Sequence, residues 1–253
     1  MFDALQVAAV GLQAQKERLD TLANNLANVS TTAFKRQSVD FASILDRAPR
    51  ATRGEPVATP EAHESRVLRV DTAQGDVHET GRALDIAIVG PGFLEVALPG
   101  QRTGYSRTGA LKIGANGDLV LASGHVLKAD IRAPSDASSI EVLADGRVMA
   151  LIADDTTPTL LGQIELAVFR NAEALQYRGE GIFTAPDDAD PTRIVPGEDG
   201  AAPLAVRSLE GSNVRMTDEL VTLMLVQRVY ELNSRVFQTA DELMSMTNNL
   251  RRG

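Results

Sequence analysis

The sequence predicts an α+β protein in which N- and C-terminal α-helices pair in a coiled-coil-like domain and an all-β domain occupies the middle of the chain. Three observations carry that expectation. Apolar residues recur at helical spacing over both ends, the period changes to two between them, and turn-forming dipeptides punctuate the middle at short intervals.

At the N-terminus Leu5, Leu12, Leu19 and Leu26 repeat every seven residues. Ala8, Gln15, Leu22 and Val29 form a second line offset by three, so residues 3 to 29 read as consecutive heptads of one seam. Gly11 weakens the first turns by about 1 kcal/mol relative to Ala. Asn24, Asn25 and Asn28 are poor helix formers near the end, so the helix is expected to be marginal alone and to need partners. Two roles stand open for these asparagines. Their amides can bond across a helix contact and fix its register, as a buried Asn does in a coiled coil, or they weaken and end the helix on a solvated face. The stretch STTAFKRQ, residues 30 to 37, then reads as the helix exit.

Residues 46 to 66 carry Pro49, Pro56 and Pro60 among mixed charges and few large apolar side chains, the composition of a linker or extended arm. From 67 to 206 the chain reads as β. Leu84 to Ile88 alternates, and Phe93 to Leu98 follows the turn Gly90-Pro91-Gly92. Asn116-Gly117-Asp118 separates Leu111–Ile113 from Leu119–Leu121, and Asp145-Gly146 separates Ile140–Leu143 from Val148–Ile152, both with hairpin chemistry. Ile164 to Phe169 is a further strand candidate, and the whole is expected to form a barrel-like or sandwich arrangement. The acidic loop between Ala185 and Pro203 matches no EF-hand spacing and reads as solvated surface.

Residues 212 to 250 read as one helix of about 58 Å, with Ser212 or Thr217 as its N-cap. Leu225, Val229, Leu232, Val236, Leu243, Met246 and Leu250 fall on one seam. Met216, Leu220, Leu223, Tyr230, Phe237 and Met244 form a second apolar line, so one neighbour cannot cover the helix and assembly is expected. The expected assembly interface is therefore Leu5, Leu12, Leu19, Leu22, Asn24, Asn25, Leu26, Asn28 and Val29 at one end. At the other it is Leu225, Val229, Tyr230, Leu232, Val236, Phe237, Leu243, Met246 and Leu250. The domain division that follows is 1–45 with 207–253 as a helical polymerisation domain, 46–66 as the arm and 67–206 as the β domain.

Composition narrows the function classes. The chain has 253 residues, a formal net charge of −9 and no cysteine. The charge disfavours nucleic acid and anionic membrane as partners, and the missing thiols remove disulfides, thiolate metal sites and thiol catalysis. His63, His78 and His125 stand in separate segments without ligand spacing, no serine has nucleophile-elbow flanks, and the glycines at 90, 92, 100 and 104 lack the Lys-Ser/Thr of a phosphate loop. No catalytic residue, metal site, cofactor or small-molecule substrate is expected. The N-terminal stretch has no continuous apolar core, so no cleaved signal peptide is expected either.

Two long motifs carry a resemblance. TLANNLANVSTTAFKRQ, residues 21 to 37, and SLEGSNVRMTDELVTLMLVQRVYELNSRVFQTADELM, residues 208 to 244, resemble the terminal signatures of bacterial flagellar rod and hook proteins. ETGRALDIAIVGPGFLEV, residues 79 to 96, and Tyr105-Ser106-Arg107-Thr108-Gly109 resemble that family's β-domain motifs, with Ala33 where the family usually has Gly and Leu94 where a second Phe is common. FKRQ followed by Phe41, and residues 227 to 242, are most similar to the distal rod branch, with proximal rod or hook-type subunits as the alternative. The resemblance implies a structural subunit, not an enzyme, exported by the flagellar type III apparatus and polymerising helically with itself and with neighbouring rod and hook proteins, inside surrounding ring proteins, as the torque-transmitting axial shaft of the basal body across the periplasm. A secreted β-domain hydrolase or binding module is the rival from another class.

Overall fold

A computed structural model describes residues 2–39, 68–153, 157–186, 189–198 and 201–250; the arm expected over 46–66 and His63 lie outside the described residues. The chain forms two compact units, one of Met1–Ala27, Gln37–Arg69 and Arg215–Gly253, the other of Asn28–Arg36 and Val70–Val214. Helices at both chain ends and a mostly β middle make the fold α+β, as the sequence predicts.

The first unit holds the two long helices, α1 (Phe2–Ala27) and α2 (Met216–Leu250), which pack against each other. The α2 helix starts four residues later than Ser212 suggests. Ser212 Oγ instead accepts from the Val214 N–H at 3.2 Å, closing a turn ahead of the helix, and the N–H groups of Asp218 and Glu219 reach back to the Arg215 carbonyl. At 35 residues α2 is about 52 Å long. Within the chain α1 buries Ala14, Thr21, Leu22 and Asn25, and α2 buries Glu219 and Val226. Strand β1 (Gln37–Val39) pairs with β2 (Leu68–Val70), whose last residue belongs to the second unit.

The second unit is built from short strands. In chain order they are β3 (Val77–Glu79), β4 (Ile86–Ala87), β5 (Phe93–Leu98), β6 (Arg102–Ser106), β7 (Leu111–Ile113), β8 (Leu119–Leu121), β9 (Ala137–Val142) and β10 (Arg147–Ile152). They continue with β11 (Thr159–Gln163), β12 (Leu166–Val168), β13 (Gln176–Gly179), β14 (Ile182–Thr184), β15 (Thr192–Ile194), β16 (Ala205–Val206) and β17 (Ser208–Glu210). The central sheet has six strands in the order β13-β14-β6-β5-β12-β15, every pair antiparallel. A three-stranded sheet β11-β10-β9, the hairpin β7-β8 and the pairs β16-β4 and β17-β3 complete the unit.

Both turn dipeptides singled out in the sequence make hairpins. Gly117, at φ 82, joins β7 to β8, and Gly146, at φ 80, joins β9 to β10, where Asp145 Oδ1 also accepts from the Arg147 N–H at 3.1 Å. A left-handed φ is the conformation glycine adopts without penalty. Leu84 to Ile88 forms only the two-residue β4, and its partner β16 comes from a stretch more than a hundred residues away.

Alternation along the central sheet separates two kinds of core. Leu94, Val96, Leu166 and Ile182 face an aliphatic cluster that includes Leu111, Leu119, Leu121, Ile140, Val142 and Val148. Their neighbours Phe93, Tyr105, Ala167 and Phe183 belong to a second cluster with Phe169 and Leu175. Here the rings meet edge to face, with Tyr105 and Phe169 at 4.8 Å and Phe93 and Phe183 at 5.8 Å between centroids, the geometry their quadrupoles favour. Glu95, between Phe93 and Ala97 on β5, is paired by a two-bond fork from Arg193 at 3.0 Å for each contact.

Candidate functional site

The expected assembly residues divide by exposure. On α1 Leu22 and Asn25 are buried, Leu12, Leu19 and Leu26 are half-buried, and Asn24 is exposed; Asn28 and Val29, both half-buried, lie in the turn after the helix. On α2 Leu225, Val229, Tyr230, Leu232, Val236 and Met246 are all exposed, with Leu232 at 60% and Val236 at 64%. The side chains of Leu5, Phe237, Leu243 and Leu250 lie outside what the structure describes, although their backbones are helical. What α2 buries within the chain is a different line, Glu219 and Val226 with half-buried Leu223 and Asn233, and the described apolar members of the seam, Leu225, Val229, Leu232, Val236 and Met246, are left to solvent.

Asn25 is fully buried and its amide is spent inside the chain. Oδ1 accepts from the Gln37 N–H at 2.9 Å while Nδ2 donates to the Gln37 carbonyl at 2.8 Å. Nδ2 also lies 3.4 Å from Glu219 Oε2 in the first turn of α2. One planar amide thereby mimics a strand partner for β1 and joins it to both helices. Of the two roles the sequence left open, a terminator on a solvated face does not describe this residue: Asn25 is an intrachain clamp whose amide reaches across the contact of α1 with α2.

The second unit contains an ion network that sequence reasoning did not find. Glu210 on β17 is buried with both oxygens used. Oε1 accepts from Lys35 Nζ at 2.6 Å and from the Gly75 N–H at 2.9 Å, and Oε2 accepts from Arg107 Nε at 2.9 Å. Lys35 Nζ also donates to the Ala73 carbonyl at 2.7 Å, and Arg107 donates to the carbonyls of Ile88, Gly90 and Gly92 while its guanidinium lies over the Phe93 ring. Burial pushes the Lys35 ammonium below its ordinary pKa, and the Glu210 carboxylate opposes that shift without cancelling it. The backbone repeats the convergence. Ala33 N–H donates to Glu210 O at 2.8 Å, Asp71 N–H to Arg36 O at 2.8 Å and Gly211 N–H to Asp76 O at 2.7 Å, and the Asn213 amide bridges to the carbonyls of Asp71 and Ala73. Gly75 has to be glycine, because a methyl there would run into the Gly211 carbonyl. The one signal available beforehand was an ionisable residue set inside each of three motifs, AFKRQ, YSRTG and SLEGSN.

His78 lies on the exposed β3 and His125 Nε2 is 3.6 Å from Glu180, and among the described residues no group of three or more His, Cys, Asp or Glu side chains could hold a metal ion. Among the described residues, no helix is long and apolar enough to cross a membrane.

Comparison with known proteins places these features. Residues 5–35 match the model described as flagella basal body rod protein, residues 87–150 the flagellar hook protein FlgE/F/G D1 domain, and residues 206–250 the flagellar basal body rod FlgEFG protein C-terminal. The chain is 35% identical to the flagellar basal-body rod protein FlgG of Agrobacterium fabrum over 257 residues, covering 97% of this chain and 98% of that protein. The chain belongs to the FlgG family of flagellar basal-body rod proteins. The FlgG of Borreliella burgdorferi is likewise 35% identical with both chains covered in full, and that of Bacillus subtilis is 30% identical with both covered in full. The likeness read from the sequence motifs is thus borne out, and with it a structural, non-enzymatic role in the flagellar basal body. Lys35 lies at the end of one matched FlgG-family stretch, Arg107 inside the second and Glu210 inside the third.

Proposed function

We propose that this chain polymerises helically with copies of itself into the distal part of the rod, crossing the periplasm and transmitting torque, with neighbouring rod and hook proteins at its ends, ring proteins around it and the flagellar export apparatus as its route. In this reading residues 1–45 and 207–253 form the polymerising ends, 46–66 an arm and 67–206 the β domain. The two helices pair with each other in a coiled-coil-like domain and pack against helices of neighbouring subunits. Leu5, Leu12, Leu19, Leu22, Asn24, Asn25, Leu26, Asn28, Val29, Leu225, Val229, Tyr230, Leu232, Val236, Phe237, Leu243, Met246 and Leu250 would form the helical assembly interface.

The observation that supports this is the solvent-facing seam of α2. Leu225, Leu232, Val236 and Met246 are each about 60% exposed in the single chain. Full burial of such side chains is worth about 1.5–3 kcal/mol each, so a row of them is a strong drive to associate and a liability if left bare. Interiors packed at crystal-like density resist shear, which is what a drive shaft requires. The test is Leu232→Asp. A carboxylate placed in a desolvated helix contact should abolish assembly of the purified protein, seen by negative-stain microscopy, and abolish swimming, while leaving the thermal transition of the β unit unchanged. Shafts of normal length from the Leu232→Asp variant would refute the reading.

A further inference from the structure

Three segments far apart in sequence, 33–36, 71–76 and 210–213, meet at the Glu210 carboxylate. Glu210 is 175 residues from Lys35, 135 from Gly75 and 103 from Arg107. No residue of these three segments belongs to the aliphatic or the aromatic core cluster; Ala33 and Phe34 are buried, Phe34 with its edge on the Tyr177 ring, and the contacts that join the segments to one another are hydrogen bonds and ion pairs. Arg107 is different. Its three carbonyl bonds and its place over Phe93 keep it with the β sheet whether or not Glu210 is present.

We propose that these segments form a clasp that opens and closes as one unit on a β body that stays folded, with Glu210 as its bolt, so that the chain segments leading into α1 and α2 are held or released together. Regions with few apolar contacts open sub-globally at lower free energy than the core. Closing this one also requires long loops to be fixed, an entropic cost that the local hairpins do not carry. Two cations and one anion share the site, so withdrawal of the Glu210 carboxylate leaves both cations buried without a counter-charge, and partial closure without it is disfavoured. That makes the clasp two-state. The carbonyl of Glu210 holds the N-terminal segment through Ala33, while its carboxylate holds the same segment through Lys35 and the middle segment through Gly75. Neither end can leave without breaking the contacts of the other.

Native-state hydrogen exchange of the full-length protein tests this. In the parent the amides of Ala33, Asp71, Gly75, Gly211 and Asn213 should exchange as one group, faster than those of Ala97, Leu127 and Ile164 in the β body. Glu210→Gln should speed the first group on the order of a hundredfold, the scale expected for a buried charge left unpaired, and leave the second group unchanged. Glu210→Asp, which keeps the charge but shortens the reach, should do the same to a smaller extent. Adding Lys35→Met to Glu210→Gln should restore part of the protection, because it removes one of the two uncompensated cations; a loss of packing alone would be worsened by it. Equal acceleration of both groups, failure of the β body to fold in both Glu210 variants, acceleration confined to Gly75, or no restoration in the double variant would each overturn the proposal.

Discussion

Replacing Asn25 by Leu separates the clamp from every reading in which this residue is a weak helix former. Leu is close in size, favours helix by about 0.5 kcal/mol and suits a buried site, so propensity and burial both forecast a gain. The geometry forecasts a loss. Gln37 is buried, and its N–H and carbonyl are both answered by the Asn25 amide at 2.9 and 2.8 Å. Leucine can answer neither, and a buried backbone group left without a partner costs about 1–3 kcal/mol. Two such groups, less the propensity gain, give a net destabilisation of about 2–5 kcal/mol. Urea denaturation followed by far-ultraviolet circular dichroism measures it, and the Gln37 amide should lose its exchange protection in the same variant. An Asn25→Leu protein as stable as its parent, with the Gln37 amide still protected, would refute the assignment.

Two further outcomes are expected. Ala33 sits at φ 55 in a buried site, a conformation that costs an L-residue about 1–2 kcal/mol and a β-branched one more; Ala33→Val should therefore lower the denaturation midpoint markedly while Ala33→Gly stays close to the parent. The depressed pKa of Lys35 gives a sign to the pH dependence. The unfolded chain holds that proton to higher pH than the folded chain does, so stability should rise with pH between the folded value and the ordinary lysine value, and Lys35→Met should flatten that rise in thermal melts.

Much of the fold was legible because its signals are local. Asn116-Gly117 and Asp145-Gly146 each fix a hairpin whose strands adjoin them, and a 3–4 apolar spacing marks a helix whatever it packs against. The pairs β3-β17 and β4-β16 were not legible. Each joins two or three residues across more than a hundred, with no turn between them to announce the partner. The buried line of α2 was hidden for another reason: it passes through Glu219 and Asn233, polar residues that an apolar count passes over. The same holds for Lys35, Arg107 and Glu210. Singly each reads as a surface charge, since such residues are rarely buried unless paired, and only the fold brings the partners together.

The two-faced central sheet has a consequence for fidelity. In a sheet with one wet face, a strand that pairs one residue out of step exposes its apolar side, and solvent opposes the error. This sheet has apolar residues on both faces, so water offers little such proofreading. Shape takes over the task. A one-residue slip of β5 would carry the Phe93 ring into the space of Leu94 and leave a side chain too small among Tyr105, Phe169 and Phe183. Such a mismatch combines overpacking on one side with a void on the other. Aromatic and aliphatic residues kept on opposite faces thus act as a key that each strand fits in one register only.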